Sequence, residues 1–395
     1  MDFFKNNIHG DKVIWVAVLI LTLLSTLVVY SSTSALALKY QGGNTEYYLL
    51  KHVFTLAFGL LLMMGTHKIK FHLFSRFSQI AFFFAIPLLI FTLVKGPDIN
   101  SASRWIQLPV INLTFQTSDF AKLAIIAFTA RQLAKKQNVL NNFKEGFLQI
   151  VWPILLICIL ILPANFSTAA VLFSTCFVTM FCGRVPFKYL LGLVSIGILG
   201  ILIILFVGNF APKVFPRFGT WVKRIENFSG KEAPNSKGSF QPDQAKIAIA
   251  TGGILGKGPG KSIQRNQLPH PYSDFIYAII IEEYGSTFGL FIILLYLIIL
   301  FRGLRISNQC NNTFGSLLSF GLSFGLVFQA MVNMAVAVNL FPVTGQPLPM
   351  LSMGGTSIWF TSISLGIILS VSRELEKEEK NIKKENQSTE GLAYA

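Results

Sequence analysis

The chain has 395 residues, of which 52% are hydrophobic and only 13% charged, against about 25% charged in a soluble globular chain. That composition excludes a string of soluble domains and divides the length into membrane spans of about 20 residues each. The net charge of +15 is no nucleic-acid signature, because no stretch joins a basic surface to a soluble fold and much of the positive charge falls between apolar runs.

Ten apolar runs follow one another, at 13–33, 47–66, 75–95, 117–134, 147–163, 166–183, 187–207, 274–301, 314–338 and 354–372. They predict an all-α polytopic membrane protein with about ten transmembrane helices, forming one integral-membrane domain over 1–373. The first run has no small-residue cleavage site and is long enough to stay as an anchor. Lysine and arginine set the orientation. With the N-terminus inside, the inner loops carry Lys68, Lys70 and Arg76, then Arg131, Lys135, Lys136 and Lys144, then Arg302 and Arg305. The short outer loops carry only Lys39, Lys51, Lys95 and Arg104. Both termini are therefore expected in the cytoplasm. The large segment 208–273, between the seventh and eighth runs, is then external, with ten basic residues against three acidic ones. Long loops cross regardless of charge. A basic external loop suits an anionic ligand, with solvated loop charge as the plainer alternative. The tail 374–395 is polar and mixed in charge, and reads as a short cytoplasmic helical extension followed by disorder.

Polar residues that could carry chemistry gather at the expected outer face. The loop after the third run holds Ser103-Arg-Trp-Ile, then Gln116-Thr-Ser-Asp-Phe-Ala-Lys-Leu. Asp119 and Lys122 are three apart and share a helix face. At the outer end of a span such a pair suits a polar cavity better than open surface. Arg104 beside Trp105 is either an interfacial anchor or a guanidinium aimed at a phosphate.

Further on, Gly256-Lys-Gly-Pro-Gly-Lys-Ser262 is one residue short of a nucleotide-binding phosphate loop and follows no strand. Nucleotide binding is rejected, although glycine backbone beside lysines can still approach a phosphate. The stretch Leu268 to Gly285 places Asp274 in a polar turn, starts an apolar helix, and puts Glu282 and Glu283 inside that helix, roughly 12 Å further along. Carboxylates below a lipid surface are costly and mark a polar interior. Pro342 to Ser357, with Thr344 and Ser352, is rich in proline and glycine. Irregular backbone of that kind at membrane depth must be buried in protein or line a watery cavity.

Other signals stay bland. Cys158, Cys176 and Cys182 lie in apolar runs and no CxxC pair occurs, so the cysteines read as buried small residues. His270 stands alone in its loop, without a second ligand at metal spacing. No Ser-His-Asp or Cys-His arrangement can be assembled, which argues against acyl transfer. No cofactor is read, and a divalent cation is left open because no ligand cluster appears.

Together these segments resemble the SEDS family of bacterial shape, elongation, division and sporulation proteins, from the first run to the tenth. Ser103-Arg-Trp-Ile matches the family's arginine–tryptophan signature. Residues 116–123 match its usual Gln-Pro-Ser-Glu-Phe-Ala-Lys-Leu, with Thr for Pro and Asp for Glu. Gln241 and Gln244, then Ala248 to Ser262, match the stretch before the catalytic loop. Ser273-Asp-Phe-Ile-Tyr-Ala with Glu-Glu-Tyr-Gly carries the family's essential aspartate. The 162–168 run and Pro-Tyr-Ser-Asp look closer to the division branch than to the elongation branch. Two departures stand out: Asn165 falls where many members have aspartate, and Pro269-His-Pro-Tyr replaces a common Glu-Ala-His.

The resemblance implies polymerisation of lipid II into peptidoglycan strands at the outer face of the bacterial cytoplasmic membrane, during septal synthesis. Asp274 would be the general base. Arg104, Lys122, Arg224 and Lys257 would hold the diphosphate, with Asp119, Ser118, Gln241 and Gln244 also in the substrate region. Glu282, Glu283, Asn165, Thr344 and Ser352 would support the cavity. A class B penicillin-binding protein is the implied partner, since nothing in the chain can cross-link peptides. A lipid-linked precursor transporter and a pure division scaffold are the competing readings.

Overall fold

The computed structural model describes residues 9–40, 42–96, 98–99, 102–103, 105–108, 113–210, 219, 222, 224, 228, 240–269 and 271–393. Arg104, His270 and most of the segment between 211 and 239 lie outside these residues.

Each of the ten apolar runs is a helix: α1 Lys12–Ser32, α3 Thr45–Lys68, α4 Phe71–Lys95, α5 Thr117–Lys135, α6 Leu148–Ile161, α7 Phe166–Cys182, α8 Phe187–Phe210, α10 Ile276–Gln309, α11 Thr313–Ala337 and α12 Thr356–Ala393. Two shorter helices join them, α2 Ser34–Tyr40 and α9 Phe240–Gly252. Seven of the helices are long and apolar enough to cross a membrane, and α7 and part of α8 are shorter apolar helices. The polar residues Asp119, Lys122, Arg131 and Lys135 set α5 apart from that group. Outward-facing side chains such as Leu23, Phe54, Phe83, Leu294 and Phe301 are exposed, as expected of a bundle whose solvent is lipid.

Three features differ from the reading of the sequence. The loop before α5 is not plain coil but two small antiparallel hairpins: β1 Asp98–Ile99 with β2 Ala102–Ser103, and β3 Trp105–Leu108 with β4 Leu113–Gln116. The tail continues α12 to Ala393, where a short helical stretch and then disorder was expected; Glu376 and Lys380, four apart, make one of the ion pairs that favour it (2.7 Å). Third, α10 is not one helix. Gly285 has φ 86° and ψ 168°, a conformation open to glycine and closed to most other residues.

The break in α10 positions everything near it. A break removes i→i−4 hydrogen bonds, and unsatisfied backbone at membrane depth costs several kcal/mol per group. The glycine-rich loop after α9 supplies the missing partners. Lys257 and Gly258 N–H donate to the carbonyls of Glu282 and Glu283 (2.9 and 2.8 Å), while Ser286 and Thr287 N–H donate to Gly253 and Ile254 (2.9 and 3.4 Å). The approach is close enough to demand glycine. A Cβ on Gly285 would stand 2.1 Å from the Ile254 oxygen, and one on Gly252 2.2 Å from that of Ile281.

Candidate functional site

Asp274 lies in the turn that leads into α10, half-buried. The backbone of the turn is held from three directions. Asn333 on α11 donates Nδ2–H to the Asp274 carbonyl (3.0 Å) and to the Gln346 carbonyl (2.7 Å). Ser352 donates Oγ–H to the Ser273 carbonyl (2.7 Å) and accepts from Leu348 N–H (2.8 Å). Met353 N–H donates to the Tyr272 carbonyl (2.9 Å). The proline- and glycine-rich 342–357 loop thus serves as a bracket for the aspartate turn, with Thr344 buried inside it.

Among the described residues, the Asp274 carboxylate itself is left largely open. Ser273 Oγ donates to Oδ1 (2.8 Å), and Oδ2 lies over Gly345, where a Cβ would come within 3.5 Å. Arg224, from the segment between α8 and α9, donates to the Val343 carbonyl (2.8 Å). Burial pushes its guanidinium pKa down and the Asp274 charge pulls it back up, which places the two opposite charges in the same electrostatic neighbourhood.

A second polar group lies deeper, between α5, α7, α11 and α12. Asp119 and Lys122 form the expected i, i+3 pair at 2.8 Å, with Asp119 4% and Lys122 16% exposed. Both line a cavity of about 60 Å³ together with Gln329, Thr175 and Ser364, enough for a few waters. Lys122 also donates to Gln329 Oε1 (2.9 Å), and Gln329 Nε2 donates to the Pro347 carbonyl (3.1 Å). Gln329 and Asn333 are four apart on α11, so one helix face reads two consecutive carbonyls of the bracket loop. The result is a continuous polar path from Asp119 through Lys122, Gln329, Pro347, Gln346 and Asn333 to the turn of Asp274.

Neither Gln329 nor Asn333 was picked out from the sequence. The signal was present: two amides at helical spacing in the ninth apolar run.

Elsewhere the structure redistributes the expected residues. Ser118 and Asn165 line a separate pocket of about 10 Å³ with Thr92 and Thr117. There Ser118 accepts from Gln116 Nε2 (3.0 Å), and Asn165 caps α7 by accepting from Thr168 N–H (3.3 Å). An amide oxygen caps a helix as well as a carboxylate does, which gives Asn165 a local task of its own. Gln241 and Gln244 are half-buried on α9 and do not join the polar path.

Lys257 has a structural partner rather than an open anion site. Its ammonium meets Glu282 Oε1 at 2.7 Å and Thr251 Oγ1 at 2.8 Å. Glu282 is fully buried and also accepts from Ser262 Oγ and from Ile263 and Gln264 N–H. Glu283 accepts from Ser31 Oγ and faces Arg265 at 3.9 Å. The two glutamates therefore hold the glycine-rich loop against α10 and α1, where the sequence suggested a cavity beneath Asp274. A buried carboxylate needs several donors, and this loop provides them. Among the described residues no three His, Cys, Asp or Glu side chains gather as a metal site.

Comparison with known proteins agrees with this architecture. The family model described as "Cell cycle protein", covering FtsW, RodA and SpoVE, matches residues 11–377. Stage V sporulation protein E of Bacillus subtilis is 30% identical over 370 residues, covering 92% of this chain and 97% of that protein. The probable peptidoglycan glycosyltransferase FtsW of the same organism is 31% identical over 388 residues, covering 95% and 94%. Among solved structures, a chain described under "Structural coordination of polymerization and crosslinking by a peptidoglycan synthase complex" superposes with a TM-score of 0.72 at 22% identity, covering 93% and 98%. The rod shape determining protein RodA of Thermus thermophilus gives 0.67 at 22% identity, with the same coverage. The bundle of apolar helices is that of an integral membrane protein, and the chain belongs to the FtsW–RodA–SpoVE, or SEDS, family of cell cycle proteins.

Proposed function

We propose that this protein is a peptidoglycan glycosyltransferase that polymerises lipid II at the outer face of the cytoplasmic membrane, with Asp274 as the general base. The observation that carries this reading is the contrast at the Asp274 turn: backbone pinned by Asn333, Ser352 and Met353, carboxylate half-exposed and facing the charge of Arg224. Relatives spanning nearly the whole chain carry the name of that activity.

The chemistry asks for little more. The donor sugar leaves from a diphosphate, already a good leaving group, so no general acid is needed. The acceptor hydroxyl oxygen attacks the anomeric carbon, the bond to the diphosphate breaks, and the hydroxyl proton passes to Asp274. Direct displacement inverts the anomeric centre. A positioned base contributes about 10²–10⁴-fold, and a fixed guanidinium stabilises negative charge on the departing diphosphate. Arg224 stands nearest that task. Lys122 contributes through the cavity, while Lys257 is occupied by Glu282.

Septal synthesis is the role we favour, because FtsW-named proteins recur among the relatives; elongation is the alternative. A penicillin-binding transpeptidase is the proposed partner, in keeping with the structural neighbour that couples polymerisation to crosslinking. No step calls on a divalent cation.

The test is polymer formation from purified lipid II in detergent, with and without the transpeptidase. Asp274→Asn should abolish product while the protein stays folded. Full polymerisation by that variant would remove the base assignment. Vesicles that translocate labelled lipid II without ever polymerising it would replace this reading with a transporter.

A further inference from the structure

The hairpin made by the end of α9 and the glycine-rich loop has an apolar tip that nothing among the described residues covers. Leu255 is 83% and Ile254 70% exposed. The tip is fixed in place, because the Gly253 and Ile254 carbonyls accept from Ser286 and Thr287 just past the α10 break.

α1 gives the depth of that point. Its cap residue Asp11 accepts from Arg302 Nε (2.6 Å), and Ser31 at its other end donates to Glu283. Residues 11 to 31 are 20 steps of α1, about 30 Å at 1.5 Å per residue. That is the thickness of the hydrocarbon layer of a bilayer, about 30 Å. The Asp11–Arg302 contact then marks one edge of the layer and the Ser31–Glu283 contact the other. Ser286 and Thr287 lie three and four residues past Glu283 toward Arg302, and so inside the second edge. From there α10 turns Leu290, Leu294, Leu297 and Phe301 outward, and the loop tip extends this lipid-facing band at its outer end.

We infer that the glycine-rich loop is a re-entrant membrane element whose tip, Ile254 and Leu255, is immersed in the acyl chains of the outer leaflet. Non-helical backbone survives at such depth only when protein satisfies it, and the four hydrogen bonds to the α10 break do so. Behind the tip, the ammonium of Lys257 is matched by Glu282. Arg265 on the returning limb bonds to the Ser31 carbonyl (3.1 Å), at the level where lipid phosphates begin. The inference rests on the chain spanning a membrane with the sidedness proposed above, and not on its catalysing polymerisation.

Spin labels at Leu255→Cys and, on the returning limb, at exposed Gln267→Cys test it in phospholipid nanodiscs. Cys182 and Cys310 are replaced by serine, and the buried Cys158 and Cys176 are kept. The ratio of oxygen to nickel-chelate collisions should be severalfold higher at Leu255 than at Gln267. Equal ratios would overturn the inference. So would a Leu255 label that meets the chelate in the isolated protein and is shielded only when a partner protein is added, since the tip would then be a protein-docking surface. Should the labelled chains fail to fold, Leu255→Trp in the otherwise native chain gives the same answer: brominated phospholipids should quench it beyond the native tryptophans, and no added quenching counts against immersion. Neither readout needs lipid II, so a failure of the polymerase reading leaves this result distinguishable.

Discussion

Asp274 and Glu282 are carboxylates on one segment, and their surroundings assign them opposite work. Glu282 is wholly buried and accepts from four donors, one of them charged. Asp274 is half-buried, with one neighbouring hydroxyl on its carboxylate. A carboxylate saturated with donors inside the fold has no lone pair left for a substrate, whereas an open one can meet an acceptor hydroxyl. Glu282→Gln should therefore destabilise the fold by about 2 kcal/mol, because it removes the charge opposite the Lys257 ammonium and halves the acceptor capacity offered to the loop. A thermal melt in detergent reads this directly. Asn333→Leu should act differently. It leaves the carbonyls of Asp274 and Gln346 without their donor, costing about 1–3 kcal/mol, and it loosens the aspartate turn, so the turnover number should fall while the substrate KM changes little. Asp274 was singled out in the sequence by its polar turn before an apolar helix and by its match to the segment that carries the SEDS family's essential aspartate. Lys257 was singled out by local pattern alone: a lysine among glycines suggests an anion site, whereas its partner in the fold sits 25 residues away. Which of two exposed-looking charges is already neutralised is a tertiary fact that spacing does not carry.

At the scale of elements, hydrophobic length found each long helix among the described residues, since a run of about 20 apolar residues has few alternatives. What it missed is where helical geometry stops inside such a run. The break at Gly285 lies in the polar interruption Glu282-Glu-Tyr-Gly-Ser-Thr287, which reads equally as polar residues on a continuous helix facing a cavity. The two hairpins before α5 escaped for the converse reason, being too short to register a period-two pattern. The break is also the element that gives the glycine-rich loop its meaning. Gly285→Ala should cost at least about 2 kcal/mol, from a φ of 86° that alanine resists and a Cβ driven to 2.1 Å from the Ile254 oxygen. Gly65→Ala on α3, where a Cβ meets nothing within 4 Å, serves as the control and should leave the melting temperature almost unchanged or raise it slightly.

For the whole molecule, sidedness is the property on which the chemistry depends, and two independent lines bear on it. One is the lysine and arginine bias of the short loops. The other is a cluster that ties several chain segments together at one end of the bundle. Asp11 at the start of α1 holds Arg302 of α10. Gly10 N–H donates to Glu376 on the extension of α12 (2.9 Å), His67 at the end of α3 bonds to the His9 carbonyl (2.9 Å), and Arg373 donates to the Lys68 carbonyl (2.9 Å). Both terminal segments thus meet at the face that collects the basic residues, and the turn of Asp274 belongs to the opposite end, beyond Glu283. A phosphatase that is active only after export should therefore be active when fused within 208–273 and inactive when fused after Arg373. The opposite pattern would place Asp274 in the cytoplasm and leave an outer-face polymerase without its base. The bond network sets which segments share a face and the charge bias names that face, so the fusion measurement tests the two together.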